Sequence, residues 1–288
     1  MSDANKHLME LARRVADAYA ALPETCAIIV MGSVAEGHAD HFSDLDMAVY
    51  YGDVPSEDAL AAARTAAGGS ERNWFVGDRE SGRFAESFRI DGIECQVAQA
   101  TIEAWERDMA VVLEVREVGS PLQKALSGTL TALPLYGDEL VRGWKAKAVD
   151  YPDALARAMV EKYLNVFPVW TMPERFLERD ATLWLHQILV EAEQNLLGVL
   201  AGVNRLYYTT FQFKRQDAFV AQMRIAPPDL SSRLKGLLVA EPAAAIGQLQ
   251  ELVRQVVEIV EGEMPGVDTA GIRRQLGFRV QPWAAVNG

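Results

Sequence analysis

The most constraining feature of the sequence is a Gly-Ser pair and an Asp-x-Asp triplet, each attached to an apolar run. The run Ile28–Met31 ends at Gly32-Ser33, ten residues follow, and Asp44-Leu45-Asp46 then opens a second apolar run that ends at Tyr51. Short apolar runs bounded by turn residues are typical of buried strands. The segment therefore predicts two core strands joined by a loop that carries polar groups.

The polar groups of this segment suit a phosphate and a cation. Gly32 has no Cβ, so a phosphate can approach its backbone closely, and Ser33 adds a hydroxyl donor. Asp44 and Asp46 are two positions apart, so on a strand both project from one face, about 6–7 Å apart. Because such carboxylates repel each other, a hard divalent cation is the usual remedy, and the spacing predicts a Mg²⁺ site.

A third carboxylate is expected from a neighbouring strand. In the run from Ile93 to Val97 the apolar residues alternate inward, which puts Glu94 on the opposite face together with Gln96. Asp91 is the rival candidate, but Asp91-Gly92 lies between two alternating runs and reads as a tight hairpin turn. Glu94 is therefore the preferred third carboxylate.

The chain divides into two parts of different texture. Up to Ala98, strand-like runs alternate with turns. An Ala-rich helix, for which Ser56 is the expected N-cap, lies among them. After Thr101 the pattern is helical nearly to the end, with long amphipathic stretches at Asp180–Val203 and Pro242–Met264. We expect an α+β mixed-sheet domain at residues 1–140, with a last strand at Leu133–Tyr136, followed by an all-α helical-bundle domain at residues 141–288.

This pattern resembles the nucleotidyltransferase superfamily that includes DNA polymerase β. The pattern consists of Gly-Ser, a ten-residue spacing, Asp-x-Asp and a later acidic strand. The extended pattern through Ser33, Ala35, Gly37 and Ser43 is most similar to bacterial aminoglycoside and lincosamide nucleotidyltransferases. Their architecture, a mixed-sheet transferase domain followed by a helical domain, also fits. The motifs cover Ile28 to Val97. The second half of the chain matches these relatives only in its helical pattern.

The resemblance implies a reaction and assigns roles to residues. Gly32 and Ser33, with Ser43 nearby, would bind the ATP phosphates. Asp44, Asp46 and Glu94 would be catalytic and hold two Mg²⁺ ions, and Glu94 would deprotonate or orient the acceptor hydroxyl. AMP would pass from ATP to a small acceptor, antibiotic-like in these relatives, with release of pyrophosphate.

Composition limits the partners. The formal net charge is −12, which disfavours nucleic acid and leans toward a cationic small-molecule acceptor. Two cysteines without a metal-type spacing and the absence of a long apolar run predict a reduced, cytoplasmic protein with no membrane partner. The sequence leaves monomer and homodimer open.

The helical half offers further candidates. The face of Asp180–Val203 opposite its apolar stripe carries Glu191, Gly198 and Gly202. This face is either solvated, or it closes a cleft in which Glu191 contacts the acceptor. Arg205 and Lys214 could neutralise triphosphate charge. The tryptophans, among them Trp74, are assigned to the core, although one of them could stack on a base or a sugar ring. His38 and His41 are assigned to a surface loop.

Two other functions remain open at this point. The acceptor could be a protein side chain, as in toxin–antitoxin-type AMP transferases, although those are often shorter and lack a large helical half. The chain could also be a catalytically silent nucleotide-binding module. Degenerate relatives usually lose a carboxylate, whereas candidates for all three are present here.

Overall fold

A computed structural model describes residues 2–281 and 283 of the 288-residue chain. Within them the strands are β1 Thr25–Val30, β2 Leu45–Tyr51, β3 Trp74–Asp78, β4 Arg83–Ile90, β5 Ile93–Thr101 and β6 Leu133–Tyr136. The helices are α1 Asp3–Ala20, α2 Gly32–Ala35, α3 Glu57–Ala66, α4 Ile102–Leu113, α5 Leu122–Thr131, α6 Asp138–Val149, α7 Asp153–Tyr163, α8 Glu174–Leu177, α9 Thr182–Asn204, α10 Gln216–Val220, α11 Leu230–Leu237, α12 Pro242–Glu263 and α13 Ala270–Leu276. A 3-10 turn lies at Val169–Thr171. The fold class is therefore the expected one, a mixed-sheet α+β part followed by a helical part.

The chain forms two compact units. Unit 1 comprises residues 1–115 and 124–150, and unit 2 comprises residues 116–123 and 151–288. The division predicted after Leu140 falls inside α6, which belongs to unit 1. The helix stays there because Trp144 packs on Tyr50 of β2, with ring centroids 4.5 Å apart.

Unit 1 is built on one mixed sheet. Six strands of the described chain pair in the order β3-β4-β5-β2-β1-β6. Only the pair β2 and β5 is parallel among these strands, and the others are antiparallel. The β4–β5 connection is the expected hairpin, since Asp91 and Gly92 have φ of 51° and 85°, the left-handed conformation that tight hairpin turns require.

One face of this sheet is covered by α1 and α3. Ser2 caps α1 by accepting from the Asn5 backbone N–H at 3.1 Å, and Ser56 caps α3 as predicted, accepting from Ala59 N–H at 3.2 Å. Apolar residues with helical spacing on α1 and with alternate spacing on the strands make the core. It includes Leu8, Val15, Tyr19, Ile28, Val30, Leu45, Met47, Val49, Leu60, Phe88, Cys95 and Val97.

The opposite face of the sheet is partly covered. Tyr50, Trp105 of α4 and Trp144 of α6 form an aromatic cluster there, with Trp105 and Trp144 centroids 6.3 Å apart. Asp108 of α4 forms an ion pair with Arg83 of β4. Beyond this cluster the same face presents the beginnings of β2 and β5, where the predicted carboxylates lie.

Unit 2 is helical and has its own core. Pro242 begins α12 at the first helical position, as predicted. On α9, Gly198 and Gly202 are buried rather than on a solvated or cleft-lining face, which corrects the sequence interpretation. A Cβ at Gly198 would overlap the Tyr163 ring, and one at Gly202 would lie 2.9 Å from the Ala156 carbonyl oxygen. These glycines allow α7 to approach α9 closely.

No helix in the described ranges is both long enough and apolar enough to cross a membrane.

Candidate functional site

The Gly-Ser pair forms a left-handed turn against β2. Gly32 has φ of 60°, and the single-turn helix α2 begins at this residue rather than after it. The Met31 N–H donates to the Asp46 carbonyl at 2.9 Å, which ties the end of β1 to the start of β2. A Cβ built on Gly32 would overlap Asp46 Oδ2. Glycine is thus required here both by its φ and by the carboxylate beside it.

Replacing Gly32 by alanine tests this requirement. Gly37 is a matched control, because its φ of 75° is also left-handed but nothing lies within 4 Å of a Cβ there. We expect Gly32→Ala and Gly37→Ala each to lower the free energy of unfolding by about 1 kcal/mol through backbone strain. Gly32→Ala should lose about 1 kcal/mol more, because Asp46 must move. Urea denaturation measures both, and equal losses would contradict the close approach.

Asp44 and Asp46 share one face of the sheet with Gln96. Asp46 lies opposite Gln96 in the parallel β2–β5 pair, and Gln96 Nε2 donates to Asp44 Oδ2 at 3.1 Å. Leu45 is fully buried on the other face, so the alternation is the predicted one. Asp44 directly precedes β2 rather than lying within it. Both aspartates are half-buried.

Glu94 lies on the same face, on the strand next to Asp44. Leu45 pairs with Cys95, so Glu94 is beside Asp44 in register. Its carboxylate is held on the β4 side of β5, because Ser87 Oγ donates to Glu94 Oε1 at 2.7 Å and Trp74 Nε1 donates to the same oxygen at 3.1 Å. Two donors thus fix Oε1.

These donors hold the pKa of Glu94 below its usual value, the Ser87 hydroxyl having the largest effect and partial burial opposing it. We expect Ser87→Ala to raise this pKa, which a carboxyl-carbon NMR titration measures. A lowered carboxyl pKa stabilises the fold above the pKa of the unfolded chain, and that contribution is lost as the pH falls through the lowered value. The stability difference between Ser87→Ala and the wild type should therefore shrink in acid, and an unchanged Glu94 pKa would contradict the assignment.

The donor set suits a hard cation only in part. Asp44 and Asp46 offer oxygen ligands from one face, the chemistry that Mg²⁺ prefers. Over residues 2–281 and 283, however, no three His, Cys, Asp or Glu side chains come together as a metal-binding group. Glu94 is turned toward Ser87 and Trp74. As arranged, Asp44 and Asp46 could hold a metal ion, and a contribution from Glu94 requires its carboxylate to reach across from β5.

Ser43 and the loop histidines lie outside this cluster of carboxylates. Ser43 Oγ donates to Asp40 Oδ1 at 3.0 Å and accepts from the Asp40 N–H at 3.0 Å. The hydroxyl is thus engaged in a turn that leads into Asp44. His38 and His41 are exposed, as predicted for a surface loop.

The candidates of the helical half belong to unit 2. Glu191 is exposed on α9 and accepts from Gln187 Nε2 at 2.8 Å. Arg205 ends α9 with φ of 54° and pairs with Asp153, Nη2 to Oδ1 being 2.5 Å. Lys214 is exposed. Any role for these residues toward ATP or an acceptor stays a prediction.

Sequence reasoning missed Ser87 and misplaced Trp74. Gln96 was placed on the face of Glu94, but its bond to Asp44 depends on the pairing of β2 with β5. Ser87 could have been found from the Asp91-Gly92 hairpin, which puts it opposite Gln96. The neighbours of Trp74 depend on the pairing of β3 with β4 and could not have been found in this way. Trp74 was assigned to the core, whereas it is 37% exposed. The whole of β3 is exposed, as befits an edge strand.

Comparison with known proteins is sparse. No family model matches the chain, and no curated protein does. Among solved structures, a nucleotidyltransferase-like protein from Exiguobacterium sibiricum is 14% identical, over 96% of this chain and 82% of that one, with a TM-score of 0.39. A likeness this distant carries no argument for function.

Proposed function

We propose that unit 1 is a Mg²⁺-dependent nucleotidyltransferase that transfers AMP from ATP to a hydroxyl of a small, cationic acceptor and releases pyrophosphate. One observation carries the proposal. Asp44, Asp46 and Glu94 share one sheet face, and Asp46 lies directly against the left-handed Gly32 turn. The turn proposed to bind phosphate and the acidic groups are thus adjacent, as transfer of a nucleotide requires.

The Gly32-Ser33 turn would bind the β- and γ-phosphates. Ser33 is half-exposed, so its hydroxyl can donate to a phosphate oxygen. The turn is fixed to β2 by the Met31–Asp46 backbone bond. A rigid grip positions the α-phosphorus, and positioning supplies much of the catalysis in phosphoryl transfer.

Asp44 and Asp46 would hold the metal ions with the triphosphate. Gln96 orients Asp44 through the bond from Nε2, and the Gly32 turn confines Asp46. Bound Mg²⁺ would supply neutralisation of the triphosphate charge and a lower pKa for the acceptor hydroxyl. Orientation of the ligands by neighbouring groups is typical of effective metal sites.

Glu94 would orient the acceptor hydroxyl and accept its proton. Because Ser87 and Trp74 occupy Oε1, the second carboxylate oxygen is the one to face the acceptor. The acceptor oxygen attacks the α-phosphorus in line, its bond to phosphorus forms as the bridging oxygen bond breaks, and pyrophosphate leaves with that electron pair. The Ser87 and Trp74 donors lower the pKa of Glu94, which favours the ionised form of this carboxylate.

The acidic balance of the chain, with a net charge of −12, supports a cationic acceptor. Exposed Glu191 is a candidate contact for it, and Arg205 and Lys214 are candidates for the triphosphate. Arg205 could serve only by exchanging its partner Asp153.

Mass analysis of the acceptor tests the proposal. The protein is incubated with Mg²⁺-ATP and a panel of aminoglycosides and lincosamides, and each acceptor is examined for the added mass of AMP. We expect a labelled acceptor, dependent on Mg²⁺. Label found on protein side chains instead would favour a protein-directed transferase, and no label on either despite ATP binding would favour a silent nucleotide-binding module.

A further inference from the structure

Trp74 occupies an unusual position for an exposed aromatic residue. It begins the edge strand β3 and lies in one row with Ser87, Gln96 and Asp46, since each is the register partner of the next across four strands. Its indole N–H is engaged by Glu94, while 37% of the residue remains exposed. The ring is thus fixed at one end and open to a ligand, beside the proposed catalytic carboxylates.

The next row of the sheet forms a shallow apolar floor beside this ring. Val76, Ala85 and Ala98 are register partners on the same face. Val76 is 61% exposed, Ala98 is exposed and Ala85 is half-exposed. The two alanine side chains are small, so this part of the surface is shallow. Such a surface beside carboxylates offers apolar contact and charge attraction together.

We propose that Trp74 is the platform on which the acceptor binds, and that it selects a saturated ring carrying both ammonium and hydroxyl groups. The proposal rests on the function proposed above. An indole face attracts cations and the C–H face of such rings. Its N–H holds Glu94 at the edge of the same ring, so a hydroxyl of the stacked acceptor would meet the carboxylate. Trp74 would thus couple acceptor binding to the orientation of Glu94.

Substitution can separate the role of the aromatic ring of Trp74 from the role of its indole N–H. Trp74→Phe keeps a ring but removes the N–H, whereas Trp74→Ala removes both. Phe75→Leu is the matched control, because Phe75 is the next residue of β3, is 38% exposed and faces the other side of the sheet, stacked on Phe84. A loss that merely reflects damage to β3 would appear in this control as well.

Binding is measured first, without nucleotide, by following the indole N–H signals of the six tryptophans by NMR. The Trp74 signal is identified by its loss in Trp74→Phe. The ligands are 2-deoxystreptamine, a cationic ring, and myo-inositol, its uncharged counterpart. We expect 2-deoxystreptamine to move the Trp74 signal saturably and myo-inositol to move it far less. Because two of the variants lack this signal, the affinities of the variants and of the wild type for 2-deoxystreptamine are compared by isothermal titration calorimetry. We expect Trp74→Ala to weaken binding about tenfold, and Trp74→Phe and Phe75→Leu to change it less than about threefold.

Turnover then tests the role of the indole N–H that donates to Glu94. In any variant that transfers AMP, Trp74→Phe should lower kcat about tenfold with little change in the acceptor KM, and Trp74→Ala should raise KM as well. The proposal is overturned if neither ligand shifts the Trp74 signal. It is also overturned if Trp74→Ala binds 2-deoxystreptamine as tightly as the wild type does. Ring binding at Trp74 without any AMP transfer would instead contradict the proposed function and leave the platform standing.

Discussion

Asp46→Asn should lower the rate of AMP transfer by about a thousandfold, the size typical of removing one preorganised electrostatic contact to a transition state. The reason lies in the position of the carboxylate, against Gly32 and two positions from Asp44. The amide is nearly isosteric but carries no charge, so metal binding is lost while the shape is kept. Stability should be unchanged or slightly raised, because the repulsion between Asp44 and Asp46 is relieved.

Asp53→Asn is the control for this variant. Asp53 is exposed and lies just past the other end of β2, so the same chemical change is made away from the site. Its rate of AMP transfer and its urea midpoint should match those of the wild type. If Asp46→Asn retained the turnover of Asp53→Asn, the assignment of Asp46 to the metal site would be wrong.

Glu86→Gln should lower the free energy of unfolding by about 3 kcal/mol, the cost of removing one partner from a buried ion pair. Glu86 is 1% exposed. Its Oε2 accepts from Arg64 Nη1 at 2.6 Å and Arg72 Nε at 3.0 Å, and its Oε1 accepts from Gln99 Nε2 at 2.9 Å and Tyr19 OH at 3.1 Å. A neutral glutamine at this position would leave the two guanidinium groups without a buried counter-charge, and its amide N–H₂ cannot accept the bonds that one carboxylate oxygen now accepts.

Urea denaturation of Glu57→Gln provides the comparison. Glu57 pairs with Arg72 and Arg79 but its side chain is 49% exposed, so its loss should cost less than about 1 kcal/mol. Equal destabilisation by the two substitutions would show that burial of Glu86 does not set the energy of this network.

Much of the fold follows from local periodicity. Alternation alone puts Leu45 and Met47 in the core and Asp46 on the opposite face, because successive side chains of a strand point to opposite sides. The same rule puts Glu94 and Gln96 together on β5. The hairpin at Asp91-Gly92 is equally local, since it depends on the left-handed conformation that these residue types tolerate.

The details of the site depend on long-range pairing, which the sequence does not reveal. Glu94 Oε1 is held by Ser87 and Trp74, seven and twenty positions away. The predicted hairpin accounts for Ser87, but only the pairing of β3 with β4 brings Trp74 to the same oxygen. Trp74 looks like a core residue by composition but lies on an edge strand. Arg205 meets Asp153 across 52 positions, so its local basic character could not disclose its partner.

The assignment of α6 to unit 1 has the same origin. The sequence of α6 has a helical pattern, and this pattern predicted that most of α6 belonged to the helical domain. The packing of Trp144 against Tyr50 depends on a strand far earlier in the chain, and burial of aromatic surface outweighs the local pattern. Predictions of domain boundaries are therefore the least secure where a helix packs back on a sheet.

Pyrophosphate release from Mg²⁺-ATP, measured with and without aminoglycosides, lincosamides and 2-deoxystreptamine, reports directly on AMP transfer at Asp44, Asp46 and Glu94. Asp46→Asn serves as the blank and Asp53→Asn as its control. We expect release that depends on an acceptor in the wild type and in Asp53→Asn and that vanishes in Asp46→Asn. Equal release by the wild type and Asp46→Asn would contradict a nucleotidyltransferase site at Asp44, Asp46 and Glu94. No release with any acceptor while Mg²⁺-ATP binds would contradict AMP transfer to a small acceptor of this kind.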